Sequence, residues 1–248
     1  MTAELADKVA LVTGGARRIG ASIVRILHAQ GMKVVVHYRG SADAAHILQR
    51  ELNETRPDSI VLVRGDLSDI AKAKHLVRET VEQFKRLDVL VNNASMFTEQ
   101  ALENATENDW DQLFTTNAKV PFFISQAAAS SLKQTNGCIV NIADIYAERP
   151  LIRHAIYCAT KAALLSMTRS FAIELGPEVR VNAVAPGAIL WPESNNDQVA
   201  QQRIVSRTPL KRSGSADDIA RAVLYLVKDA PFVSGDLIRV DGGRSVVP

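Results

Sequence analysis

Short apolar runs rich in β-branched residues alternate with helix-period segments along this sequence, and few folds tolerate that pattern. Val9–Thr13 is the first such run; a turn at Gly14–Arg18 and a helical pattern to Gln30 follow, with Gly31 as the stop signal. Lys33–His37, Ile60–Val63 and Val89–Val91 read as further strands, with helices over Ala42–Glu54 and Ser68–Phe84. Glu107–Lys133 reads as one long helix opened by a Thr106/Asp109 capping pair. Ile139–Ile142, Ile156–Leu175 and Val179–Val184 continue the alternation, and Gly176-Pro177 ends the second of them. Strands that are apolar on both faces and separated by helices predict a parallel sheet covered on both sides, an α/β doubly wound, Rossmann-like fold. Such a fold binds ligands at the carboxyl ends of its strands.

No linker or repeat breaks the 248 residues, so a single domain over 1–248 is expected. The least regular segment, Pro186–Pro209, reads as a loop covering a site or as a surface insertion. Cys138 and Cys158 each lie in an apolar run, which argues against a disulfide framework or a zinc module. His28, His46 and His75 fall on helices without partners at metal-ligand spacing, so no metal is expected. Twenty-nine basic against 27 acidic residues is too balanced to imply a nucleic-acid or anionic-membrane partner. The charged start, Met1 to Lys8, lacks a signal-peptide core, and no run approaches the length of a membrane span; a reducing, cytoplasmic compartment fits.

Thr13-Gly14-Gly15-Ala16-Arg17-Arg18-Ile19-Gly20 stands between the first strand and the first helix. A dinucleotide fold needs a tight turn there, with backbone N–H groups and a helix N-terminus facing pyrophosphate. The end of the second strand chooses the dinucleotide. His37-Tyr38-Arg39-Gly40-Ser41 has no carboxylate before Asp43 to take a ribose 2′-hydroxyl. Arg39 and Ser41 offer donors to a 2′-phosphate, and Arg17 adds charge, so NADPH is favoured over NADH. The bland alternative makes Arg39 a solvated surface residue.

Tyr157 and Lys161 lie four apart at the start of a helical pattern and share one face. A nearby ammonium, together with the positive nicotinamide of an oxidised cofactor, favours phenolate and is expected to move the tyrosine pKa toward working pH. The pair follows Asn141 and Asp144, past the end of the fifth strand, where the crevice opens.

With these motifs in order, the chain resembles the short-chain dehydrogenase/reductase family over almost its whole length. The matching residues are Thr13-Gly14 through Gly20, Asn92-Asn93-Ala94-Ser95, Asn117, Tyr157 with Lys161, Pro186-Gly187, and Asp241-Gly242-Gly243. The resemblance implies that Asp66 and Leu67 frame the adenine and that Asn93-Ala94 run along the cofactor. It implies a helix kink and a proton-relay water held by Asn117, a nicotinamide ribose held by Lys161, and Pro186, Gly187 and Ile189 flanking the nicotinamide. It also implies a homotetramer built through the long helices.

Two departures narrow the resemblance: Arg18 replaces a usual glycine, and Asp144 replaces the usual catalytic serine. Both look like the pteridine reductase branch, as do His37-Tyr38-Arg39, Ala94-Ser95-Met96-Phe97 and Arg169-Ser170-Phe171-Ala172. An aspartate suits an acceptor that is a ring nitrogen, so hydride transfer to a pterin with protons relayed by Tyr157 and Asp144 is expected. Phe97 would stack the pterin, or be only a loop hydrophobe. Ser95 and Arg17 would bind its polar edge or the cofactor phosphate. Trp191 would close the pocket or plug the core, and Tyr146 and His154 border the same region as weaker candidates. The alternatives are a carbonyl reductase acting on a 3-oxoacyl thioester, sugar or steroid, and a non-catalytic NADP sensor.

Overall fold

The structure, a computed structural model, describes residues 5–189 and 198–247. Seven strands form one parallel sheet: β1 (Val9–Val12), β2 (Lys33–Tyr38), β3 (Ile60–Arg64), β4 (Val89–Asn92), β5 (Cys138–Ile142), β6 (Arg180–Pro186) and β7 (Leu237–Val240). Their order is β3-β2-β1-β4-β5-β6-β7, so the direction of winding reverses between β1 and β4. A crevice opens at the carboxyl ends of those two strands.

Alternate residues of each strand feed two cores. Ala10 and Val12 of β1 pack with α1 (Arg18–Ala29), α2 (Ala42–Thr55) and α8 (Ala216–Lys228) through Ile23, Leu27, Leu48 and Val223. Val9 and Leu11 face the other way, onto α3 (Ile70–Phe84) and α5 (Val120–Thr135) through Leu76, Val77, Ile124 and Leu132. This two-sided burial is why the strands read as unbroken apolar runs.

Three differences from the sequence expectations have physical causes. Glu107–Lys133 is not one regular helix but α4 (Glu107–Phe114), a π-helical turn Thr115–Lys119, and α5. The Val120 N–H reaches back five residues to the Thr115 carbonyl, and Pro121, in the first turn of α5, has no N–H to restore the α pattern. Secondly, α8 and β7 complete the sheet where no element was expected. The signal for α8 was present: Ser215 and Asp218 form a reciprocal capping box, as Thr106 and Asp109 do for α4. Thirdly, the irregular Pro186–Pro209 segment contains α7 (Gln198–Ser206).

Ser215→Ala removes an acceptor for the Asp218 N–H and is expected to lower stability by about 1 kcal/mol, read as a lower urea midpoint with unchanged slope. Among the described residues no helix is long and apolar enough to cross a membrane.

Candidate active site

The β1–α1 turn is knitted to the end of β4 across the switch point. Thr13 Oγ1 accepts from the backbone N–H groups of Asn93 and Ala94, each at 3.0 Å. Asn93 Nδ2 donates to the carbonyls of Thr13 and Gly14 at 2.9 and 3.0 Å. Two glycines are indispensable here: Gly14 takes φ 61°, and a Cβ on Gly20 would lie 2.2 Å from the Gly14 carbonyl oxygen. Arg18 also adopts the left-handed region, φ 53°, at the place where a glycine was missed in the sequence. A side chain there costs roughly 1 kcal/mol, and it is carried on the rim of a cleft.

That cleft, about 380 Å³, gathers most of the residues predicted to bind a dinucleotide. Gly14, Arg17, Arg18, Ile19, Gly20, His37 and Arg39 line one side, and Asp66, Leu67, Asn93, Ala94 and Ser95 the other. Gly65, Ser68, Met96, Thr116 and Val120 complete it; only Gly65, at the carboxyl end of β3, carried a signal that strand-end reasoning could have used. Arg17, Arg18 and Arg39 have exposed side chains, so three guanidinium groups stand at the mouth. Asp66 is held below the usual carboxylate range, chiefly because it accepts from Ser68. The Gly14 turn, with no room for a Cβ, and this cationic rim fit a phosphate-bearing dinucleotide.

Four predicted contacts have other partners in the structure, and three of them do not line the cleft. His37 lines the cleft, but both ring nitrogens are engaged: Nδ1 accepts from the Gly14 N–H at 3.2 Å, and Nε2 lies 3.1 Å from the Gly65 carbonyl. It fastens the turn to β3. Tyr38 is buried against Ala16 and Ala45 and does not line the cleft. Ser41 stands at the N-cap of α2 and does not line the cleft. Ile189 is buried in the core beside α8, while Gly187 packs against Asp241 at the end of β6, next to Pro186. Trp191 lies outside the described residues.

Burial lowers the His37 pKa below its ordinary 6.5, and its neutral form is the one that accepts from Gly14. The stability it contributes is present above pH ~6.5 and is lost as pH falls through the lowered value. His37→Phe is expected to weaken the acid-side fall in melting temperature; an unchanged profile would count against this anchoring role.

The second half of the site lies at the ends of β5 and α6 (Ala155–Glu174). Asp144 accepts twice, from the Tyr146 N–H at 2.9 Å through Oδ1 and from the Tyr157 hydroxyl at 2.7 Å through Oδ2. Lys161 is fully buried and donates from Nζ to the Ile142 carbonyl at 3.0 Å. Its ammonium lies 5.7 Å from the centre of the Tyr157 ring. Asn117, inside the π turn, joins this half to the cleft. Its Oδ1 accepts from the Met96 N–H and the Ser95 hydroxyl, and its Nδ2 donates to the Met96 carbonyl and to Thr160 of α6. Thr160 in turn donates to the Tyr157 carbonyl.

The electrostatics correct one expectation. Tyr157 is not drawn toward neutrality by Lys161; burial first, and then the Asp144 carboxylate at 2.7 Å, push it well above its ordinary value. Burial also raises the Asp144 carboxyl and lowers Lys161 to about 8. Each of the three is thus biased toward its neutral form, with a short hydrogen bond along which a proton can pass. Phe97 stands half exposed beside this group, its ring perpendicular to that of Tyr157 with centroids 4.8 Å apart. Among the described residues no cluster of three or more potential ligands could hold a metal.

A family model described as enoyl-(acyl carrier protein) reductase matches residues 14–245. A 3-oxoacyl-[acyl-carrier-protein] reductase of Staphylococcus aureus is 36% identical over 241 residues, 95% of this chain and 97% of that protein. An uncharacterized oxidoreductase of Methylorubrum extorquens is 36% identical over 246 residues, 97% of this chain and 98% of the other. Pteridine reductase 1 of Leishmania tarentolae is 34% identical, with 99% of each chain covered.

Proposed function

The chain belongs to the short-chain dehydrogenase/reductase family and is an oxidoreductase; from that premise we propose that it reduces a C=N bond of a pterin ring with NADPH. The observation that carries this reading is the hydrogen bond from Tyr157 to a carboxyl, Asp144, whose burial favours the protonated form. A protonated carboxyl is a donor matched to a ring nitrogen, which gains a proton as the adjacent carbon is reduced.

NADPH, when bound, supplies the hydride. Arg17, Arg18 and Arg39 at the cleft mouth suit its 2′-phosphate, and the Gly14–Gly20 turn suits its pyrophosphate. On the substrate side, Asp144 passes its proton to nitrogen, and the Tyr157 hydroxyl relays the replacement, taking up one proton from water as it hands its own to the carboxyl. Lys161 keeps a cation beside that exchange, and the Tyr146 N–H holds the carboxyl in place through Oδ1. Phe97 offers an exposed face to a flat heteroaromatic ring.

The test is NADPH consumption across dihydrobiopterin, dihydromonapterin, dihydrofolate and a 3-oxoacyl thioester. Turnover of the thioester with none of any pterin would overturn the pterin reading. A second reading, 3-oxoacyl reduction, is supported by the 36% identity to the staphylococcal enzyme. It gains if Asp144→Ser retains or raises carbonyl turnover.

A further inference from the structure

We propose that His154 is a positioning residue for the substrate: its ring backs Phe97 and fixes the plane that Phe97 presents beside Tyr157. This deepens the proposed function and rests on it for the identity of the ring being stacked.

Phe97 is 50% exposed on a segment, residues 93–100, that has no regular secondary structure. An aromatic ring so placed ordinarily samples several rotamers. Here one face lies on the His154 imidazole, with centroids 4.6 Å apart and planes at 24°. Tyr157 stands perpendicular to it, with centroids 4.8 Å apart, and half of the Phe97 surface stays exposed. His154 is itself fixed, since it is buried, sits at the N-cap of α6, and pairs Nδ1 with the Ile152 carbonyl at 2.9 Å.

The same turn holds the Phe97 segment at a second point. The Gln100 N–H donates to the Arg153 carbonyl at 2.8 Å, and Arg153 pairs with Glu99. The helix that carries Tyr157 therefore also carries the support for the aromatic wall next to it. A flat substrate needs both at a fixed separation, whereas a flexible acyl chain does not.

Three variants test this. His154→Ala removes the ring; His154→Gln removes it but keeps a side-chain donor; His154→Phe keeps a ring alone. Both ringless variants should raise the KM for the dihydropterin about 3- to 10-fold, with kcat changed less than about twofold. They should also speed hydrogen–deuterium exchange in residues 96–100, and His154→Phe should restore both readouts. Unchanged exchange in His154→Ala, or recovery by His154→Gln but not by His154→Phe, overturns the stacking role. Should the wild-type enzyme turn over no pterin, the functional reading fails, while the exchange measurement still decides the role of His154.

Discussion

On the pterin reading proposed above, Asp144→Asn is expected to cut turnover by about 10²- to 10⁴-fold while leaving the protein at least as stable at neutral pH as the wild type. The two halves of this expectation share a cause. Burial raises the Asp144 carboxyl, so the folded chain holds its proton more tightly than the unfolded chain does. The stability linked to that proton is present below the ordinary carboxylate range and is lost as pH rises through the raised value. At neutral pH an ionised Asp144 is therefore a burden, and a neutral amide removes it. The amide oxygen can still accept from the Tyr146 N–H, so the local backbone has no reason to move. What the amide lacks is a proton to deliver. The wild-type rate should fall as pH rises through the carboxyl titration, and Asp144→Asn should show no such limb. Rate profiles and melting curves on the same preparations check both halves; a variant that melts several degrees lower would show that the carboxyl serves the fold rather than the chemistry.

The carboxyl was legible in the sequence because it departs from a dense pattern of motifs; its partner distances were not. The central strands were equally legible, since β1, β4 and β5 bury both faces and so write apolar runs; the half-exposed edge strand β7 wrote none and was missed. The π turn at Thr115–Lys119 lies where the resemblance implied a kink at Asn117, but the apolar periodicity alone ran straight through it. What bends it is tertiary: Asn117 spends its side chain on Met96 and Thr160, far away in sequence. His37 and Tyr38 show the same blind spot. Strand-end position put both near a ligand, but only the pairing of His37 with Gly14 and Gly65, and of Tyr38 with Ala16 and Ala45, decides where each points. His154 went unrecognised as a support because stacking on a loop residue 57 positions away leaves no periodic trace.

Lys161→Met should separate activity from stability most clearly. The ammonium is fully buried, and burial lowers it from 10.5 to about 8. A lowered lysine means that the unfolded chain binds the proton more readily, so stability rises with pH between about 8 and 10.5, and below that range the folded chain carries the full cost of burying the charge. The difference corresponds to roughly 3 kcal/mol of folding free energy forgone at neutral pH. Methionine fills a similar volume without charge but leaves the Ile142 carbonyl without the Nζ donor, which costs about 1–3 kcal/mol. The two terms nearly offset, so the melting temperature should hold or rise while turnover drops by at least ~100-fold. A cation kept in a place that disfavours it, one helical turn from Tyr157, is strain retained at a reactive site. If the variant melts well below the wild type, Lys161 is a structural residue and the ammonium owes its burial to the fold.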